Sequence, residues 1–285
     1  MKKKVLSLFL AVVMISSNFI QVQAQEVSND AWIEEQLSDY QPLIDIKNKY
    51  SDVKEVQSNT EYILTTVTKD ENGNLINSKQ DKFSDLESLN NYKEVQESMN
   101  ERIAPFTVSP GGTSYVEYGY TRVGLSLYKY SSNRFFIACV YDWSAIFALP
   151  PNYYRGIAAL ALDSNMVMEG SSSYAGRVSL YRNGTLMQQY STSTGNLSIQ
   201  ASSANAIGYS YSYRMPDNSS LDHYEGVISC TALKNSTNNL CSAFGEYDYL
   251  YNALSGFSVS YPWGISVGAS TERDRYTIQE PLDIR

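Results

Sequence analysis

One histidine, three cysteines and a scatter of acids set the limits on chemistry. His223 is the only imidazole. That excludes a multi-histidine zinc site and leaves one base for a serine or cysteine nucleophile. Such a nucleophile would be Cys139 or Cys230 with His223 and the adjacent Asp222, yet no G-x-S-x-G and no cysteine-protease signature occurs. A solvated histidine near a turn is the simpler reading. Glycoside hydrolysis needs only two carboxylates roughly 5–10 Å apart. Glu117, Asp142, Asp163, Glu169, Glu225, Glu246 and Asp248 are available, and their spacing singles out no pair. Asp163-Ser164-Asn165 has the look of a calcium-loop fragment without the remaining ligands. There is no phosphate-cradling glycine loop, dinucleotide fingerprint or CxxC, so no catalytic residue, metal site or cofactor is assigned.

The aromatic residues offer a different chemistry. Tyr209, Tyr211 and Tyr213 alternate with serines, which puts three rings on one face of a strand. Exposed, that face would stack on sugars or a protein partner; turned inward, its hydroxyls would need hydrogen-bond partners. Trp263, between Pro262 and Gly264, interrupts a strand and is the best candidate for a protruding ring. Tyr141-Asp142-Trp143 closes a hydrophobic run, and Arg155 opens the next after a Pro150-Pro151 break. The stretch reads as a carbohydrate platform or, more simply, as core rings with an Asp142–Arg155 pair fixing two strands.

Tyr141-Asp142-Trp143, the proline spacer, Arg155 and the following apolar strand resemble a set of secreted β-rich proteins of Gram-positive bacteria. The similarity extends to the acidic K-D-E-N-G-N hairpin and helix within residues 61–102. It implies a β-rich fold and carries over no activity and no catalytic residue.

The elements that must position these residues fall into two textures. Lys2, Lys3 and Lys4, the apolar run Val5–Ile15 and Val22-Gln23-Ala24 make residues 1–24 a secretory signal peptide cleaved after Ala24. Its removal leaves 19 bases against 30 acids, a net charge of −11. An acidic chain of this kind does not suit nucleic acid or anionic lipid. Residues 25–110 hold 17 of the acids against 8 bases, whereas 20 of the 24 tyrosines follow residue 110. The first region, 25–104, reads as a helix around Trp32, Ile33, Gln36 and Leu37 broken near Pro42. A hairpin turning at 70–74 follows, then a helix opened by a Ser84/Glu87 capping box. Residues 105–113 read as a linker.

From 114 to 285, short Tyr-, Val- and Ile-rich runs between Gly, Asn and Ser clusters predict an antiparallel β-sandwich or jelly-roll-like domain. Arg182-Asn183-Gly184 supplies a tight hairpin. Phe135–Val140 and Gly156–Leu162 are apolar on both faces and belong at sheet centres. Phe244, Tyr247, Leu250 and Leu254, spaced by three and four, predict one helix ending at Gly256. Cys230 and Cys241 are the nearest pair for a disulfide, with Cys139 an inert core thiol.

The expectation is an exported, non-catalytic protein whose β domain binds a glycan, the cell wall or an extracellular protein. The mature chain has no membrane span. Two alternatives stand beside it, a secreted carboxylate hydrolase and a membrane-active β protein.

Overall fold

The computed structural model describes residues 31–285 except 70–74, 93, 95–114, 145–153, 214–220, 222, 251–253, 255 and 269–272. Residues 1–24, expected as a signal peptide, 105–113, expected as a linker, and the Pro150-Pro151 stretch lie outside them. Two short helices come first, α1 (Ala31–Ser38) and α2 (Gln41–Lys49), with Pro42 in the first turn of the second. That is where proline costs a helix no hydrogen bond. The antiparallel pair β1 (Lys54–Lys69) and β2 (Leu75–Phe83) follows. Residues 86–92 are helical. The cap is Asp85 rather than Ser84, since the Ser88 amide donates to Asp85 Oδ1 at 2.7 Å.

Twelve of the remaining strands build most of the molecule. They are β3 (Tyr115–Lys129), β4 (Arg134–Ser144), β5 (Tyr154–Leu162), β6 (Met166–Met168), β7 (Ala175–Arg182) and β8 (Thr185–Ser191), then β9 (Gln200–Ser203), β10 (Ala206–Tyr213), β11 (His223–Lys234), β12 (Leu240–Leu250), β13 (Phe257–Ser260) and β14 (Gly264–Val267). The last, β15 (Arg273–Asp283), precedes the C-terminal residues. The larger sheet runs β2-β1-β3-β4-β11-β7-β8, with β6 also paired to β11; the smaller runs β15-β12-β5-β10-β9; β13 and β14 form a separate hairpin. All pairings are antiparallel, and the two sheets face each other as a sandwich. The doubly apolar strands β4 and β5 do sit inside their sheets. Asn183 and Gly184, at φ 50° and 70°, make the expected tight turn between β7 and β8.

Alternation sorts the side chains into three layers. Odd residues of β4, with Ala158, Leu160 and Leu162 of β5, fill the space between the sheets. Even residues of β4 (Phe136, Ala138, Val140) lie beneath Ile33, Leu37, Tyr40 and Leu43 of the N-terminal helical segment. Ile157, Ala159 and Ala161 face the other way, beneath Val259 and Ile265 of the hairpin.

Two expectations are corrected here. β1 pairs with β3 from Lys54↔Lys129 to Lys69↔Tyr115, so the strands on either side of residues 105–113 share one sheet. The N-terminal region is therefore part of the sandwich, because its strands supply hydrogen bonds and its helices cover an apolar face. Residues 240–250 form strand β12 rather than a helix. The helix-like spacing arose because both faces of β12 are buried, Tyr247 and Tyr249 inward and Phe244 and Leu250 outward.

Candidate functional site

The β13–β14 hairpin lies over the outer face of the smaller sheet and carries Trp263 at its turn. Trp263 is 78 % exposed, the most open of the large hydrophobic side chains among the described residues. Register fixes what lies beneath it: Val259 opposes Ile265, and both point down into a cluster with Phe244 and Leu250. Ser258, Ser260 and Ser266 point out. The Val259 amide donates to Ser202 Oγ at 2.9 Å, tying the hairpin to β9. The sequence from Gly256 to Gly268 contains no charged residue, so the crown offers an indole, the half-buried ring of Tyr261 and serine hydroxyls.

Charge is instead concentrated under the hairpin. Glu246 and Asp248, two apart on β12, share its outward face and are both 0 % exposed. Arg275 Nε donates to Glu246 Oε1 at 2.5 Å, and the Ile265 amide donates to Glu246 Oε2 at 2.8 Å. Arg273 pairs directly with Asp248 and donates to the Ile265 carbonyl at 3.0 Å. Arg275 also reaches the Trp263 carbonyl at 3.0 Å, so the backbone beside the exposed indole is held by an arginine anchored on a buried acid. Burial, with Glu246 beside it, pushes the Asp248 carboxyl well above the usual carboxylate range, and both arginines oppose the shift. Gly264, at φ 70°, makes the turn fit: a Cβ there would meet Glu246 Oε2 at 1.9 Å.

The tyrosine ladder turns inward. Tyr209 is 0 % and Tyr211 5 % exposed, and Tyr213 is half-buried at the edge of the same core. Neither Tyr209 nor Tyr211 forms an exposed binding surface, because the smaller sheet needs that face to close the sandwich. Their hydroxyls find the partners that burial requires. Tyr209 bonds Tyr141 at 3.1 Å and the Arg177 carbonyl at 3.1 Å; Tyr211 bonds Tyr247 at 2.9 Å. Tyr141 stacks on Tyr247 with ring centres 4.1 Å apart, and Trp143 on Tyr249 at 4.5 Å. Gly226 faces Tyr141 so closely that a Cβ would meet the ring at 2.1 Å.

Asp142 takes partners other than Arg155. Its register neighbour on β3 is Arg122, whose Nε donates to Asp142 Oδ2 at 3.0 Å while the guanidinium lies 4.5 Å over the Trp32 ring. His223 Nδ1 is 3.2 Å from Asp142 Oδ1, and its Nε2 is 3.0 Å from Glu225 Oε1. The His223 contact holds the Glu225 carboxyl below its usual range. Arg155 lies in the other sheet, opposite Ser212. Strand adjacency within a sheet thus outcompetes closeness in sequence.

Cys139, Cys230 and Cys241 are buried free thiols. Cys230 and Cys241 come from facing sheets and pack into the core without a bridge. Burial pushes the Cys139 thiol up to about 12, which leaves it protonated and unreactive. Asp163 braces a turn, accepting from the amides of Asn165 and Ser242 at 2.8 Å each. The described residues contain no group of three metal-ligating side chains. None of their helices is long and apolar enough to cross a membrane.

No known family matches the sequence, and neither does any curated protein. Solved structures with similar strand arrangements include the collagen-binding subdomain of the Enterococcus faecalis surface protein ACE, at 10 % identity and a TM-score of 0.29. That match covers 52 % of this chain and 88 % of the other. The RrgB pilus backbone of Streptococcus pneumoniae is 11 % identical over 44 % of each chain, TM-score 0.29. Clostridium perfringens delta-toxin is 9 % identical over 62 % of this chain and 93 % of its own, TM-score 0.27.

Proposed function

We propose that this protein is a non-catalytic extracellular binding module that contacts carbohydrate through the crown of the β13–β14 hairpin. The observation that carries the reading is Trp263, an exposed indole on a hairpin tied down by hydrogen bonds. A large apolar ring kept in water on an anchored support loses little entropy when it meets a ligand. The hairpin itself carries no charged residue and is rich in hydroxyls, with the partly exposed Arg275 guanidinium beneath it, which suits the apolar face and polar rim of a sugar. Export of the chain, expected from residues 1–24, would place it among extracellular and cell-wall glycans. The hydrolase alternative would draw on Asp142 and Glu225 beside His223, of which Asp142 is committed to Arg122, or on Glu246 and Asp248. The latter two are sealed beneath the hairpin and committed to arginines, so they serve as its anchor. A glycan and cell-wall binding array on residues 25–285 tests the proposal. Retention on at least one immobilised polysaccharide is expected for the native chain and lost for Trp263→Ala with the fold intact; polysaccharide turnover that disappears with Glu246→Gln would replace it.

A further inference from the structure

A second site lies on the opposite side of the sandwich, where α2 crosses the outer face of the larger sheet and leaves a cleft of about 400 Å³. That volume is in the range of small-molecule sites. Tyr50, the residue capping α2, and Tyr130, at the end of β3, meet there with ring centres 5.0 Å apart and planes tilted by 45°. Tyr174, half-buried, contributes a third ring to the lining. Glu169, just past β6, stands at the centre of the polar groups. Its Oε2 accepts from the Tyr130 hydroxyl at 2.9 Å, and its Oε1 is 3.4 Å from Arg134 Nε.

The charges lining the cleft cancel. Asp45 and Glu169 face Lys49 and Arg134, with Glu169 paired to Arg134, and Lys49 Nζ lies 5.4 Å over the Tyr50 ring. No net charge is left to attract an ion. Arg134 is 44 % exposed on its side chain and retains donors that the single contact to Glu169 does not use. The Glu169 oxygens each have a further lone pair, and Ser172 is exposed at the lip. The half-buried rings of Tyr50 and Tyr174 for an apolar face, with a carboxylate and a guanidinium to accept and donate, match a neutral polyhydroxylated molecule.

We propose that this cleft binds a mono- or disaccharide, independently of the Trp263 crown. The experiment is saturation-transfer NMR and calorimetry on residues 25–285. The sugar probes are glucose, galactose, N-acetylglucosamine, maltose and N,N′-diacetylchitobiose; choline and glycylglycine serve as cationic and zwitterionic probes. At least one sugar is expected to saturate with a roughly millimolar Kd. Tyr50→Ala and Glu169→Gln should each weaken it by about tenfold or more, whereas Trp263→Ala should leave it unchanged. Glu169→Gln keeps the shape of the side chain, so it reads the site even if Tyr50→Ala loosens α2. No saturable sugar binding overturns the proposal, as does sugar binding that survives both variants. Choline or glycylglycine saturating in place of every sugar also overturns it. Loss with Trp263→Ala alone would assign the sugar to the crown and remove the cleft.

Discussion

Both sheets of the sandwich cover the centre of their outer faces, and they use different materials to do it. The larger sheet is covered by α1 and α2 chiefly through aliphatic and aromatic contacts, Ile33, Leu37 and Leu43 resting on Phe136, Ala138 and Val140, with Tyr40 bonded to Ser229 and Arg177 to Asp39 at the side. The smaller sheet is covered by a hairpin that shares a modest apolar cluster and adds two buried acids paired to two partly exposed arginines. An apolar cover tolerates sliding, since hydrophobic contact has no direction. A cover tied by charge-assisted hydrogen bonds has one registered position. The helices therefore serve mainly bulk burial, and the hairpin mainly placement.

The sharpest way to break this comparison is to remove the anchor. Glu246→Ala takes the carboxylate from the Ile265 amide and from Arg275, which keeps only its backbone acceptors, and removing the buried member of an ion pair typically costs about 3–5 kcal/mol. Urea unfolding of the variant beside the native chain measures it; a cost under about 1 kcal/mol would reduce the cluster to decoration. Next comes the helical cover. Ile33→Ala, at a fully buried position against Gly124, should cost about 2–4 kcal/mol through lost burial and a residual cavity. The same titration checks it.

A smaller effect distinguishes the two covers by pH. The Asp248 carboxyl is raised in the folded state, so the native protein holds that proton more tightly than the unfolded chain. The resulting stability is whole below the ordinary carboxylate range and is lost as pH rises through the raised value. Asp248→Asn should therefore gain stability relative to the native chain as pH rises, while Ile33→Ala shifts equally at all pH values. Chemical denaturation from pH 4 to 9 separates the two; parallel curves for Asp248→Asn would show that its carboxyl is ionised throughout. Smallest is Trp263→Ala, expected to change stability by no more than about 0.5 kcal/mol, as for an exposed side chain. Thermal melts would detect a larger loss, which would make the indole part of the cover rather than its outward tip.

These differences also explain what could be read from the sequence. β4 and β5 were legible as central strands because each is apolar on both faces. α1 and the Asn183-Gly184 turn carry local signals that tertiary context does not override; α2 was not legible, because Pro42, read as a break, sits in its first turn. Trp263 was legible because proline and glycine flank it. β12 was not, since a strand buried on both faces offers apolar residues at nearly every spacing, helical ones included. β15 was missed because its outward residues are charged, and Arg273 and Arg275 acquire their meaning only against Glu246 and Asp248. The pairing of Asp142 with Arg122 depends on strand register, which no local pattern encodes. The direction of the tyrosine ladder was undetermined for a related reason: alternation groups Tyr209, Tyr211 and Tyr213 without saying which side of the sheet faces the partner sheet.

The chain's three tryptophans fall one to a layer. Trp32 lies beneath α1 against the Arg122 guanidinium, Trp143 stacks within the inter-sheet core, and Trp263 stands in solvent. The protein thus carries its own optical labels. A soluble quencher should reach Trp263 first, and a red-edge emission would belong to the hairpin alone. Circular dichroism in the aromatic band would follow the stacked Trp143 and Tyr249 rings. Watching the three signals during unfolding would time the departure of each cover from its sheet, with no dye or probe introduced.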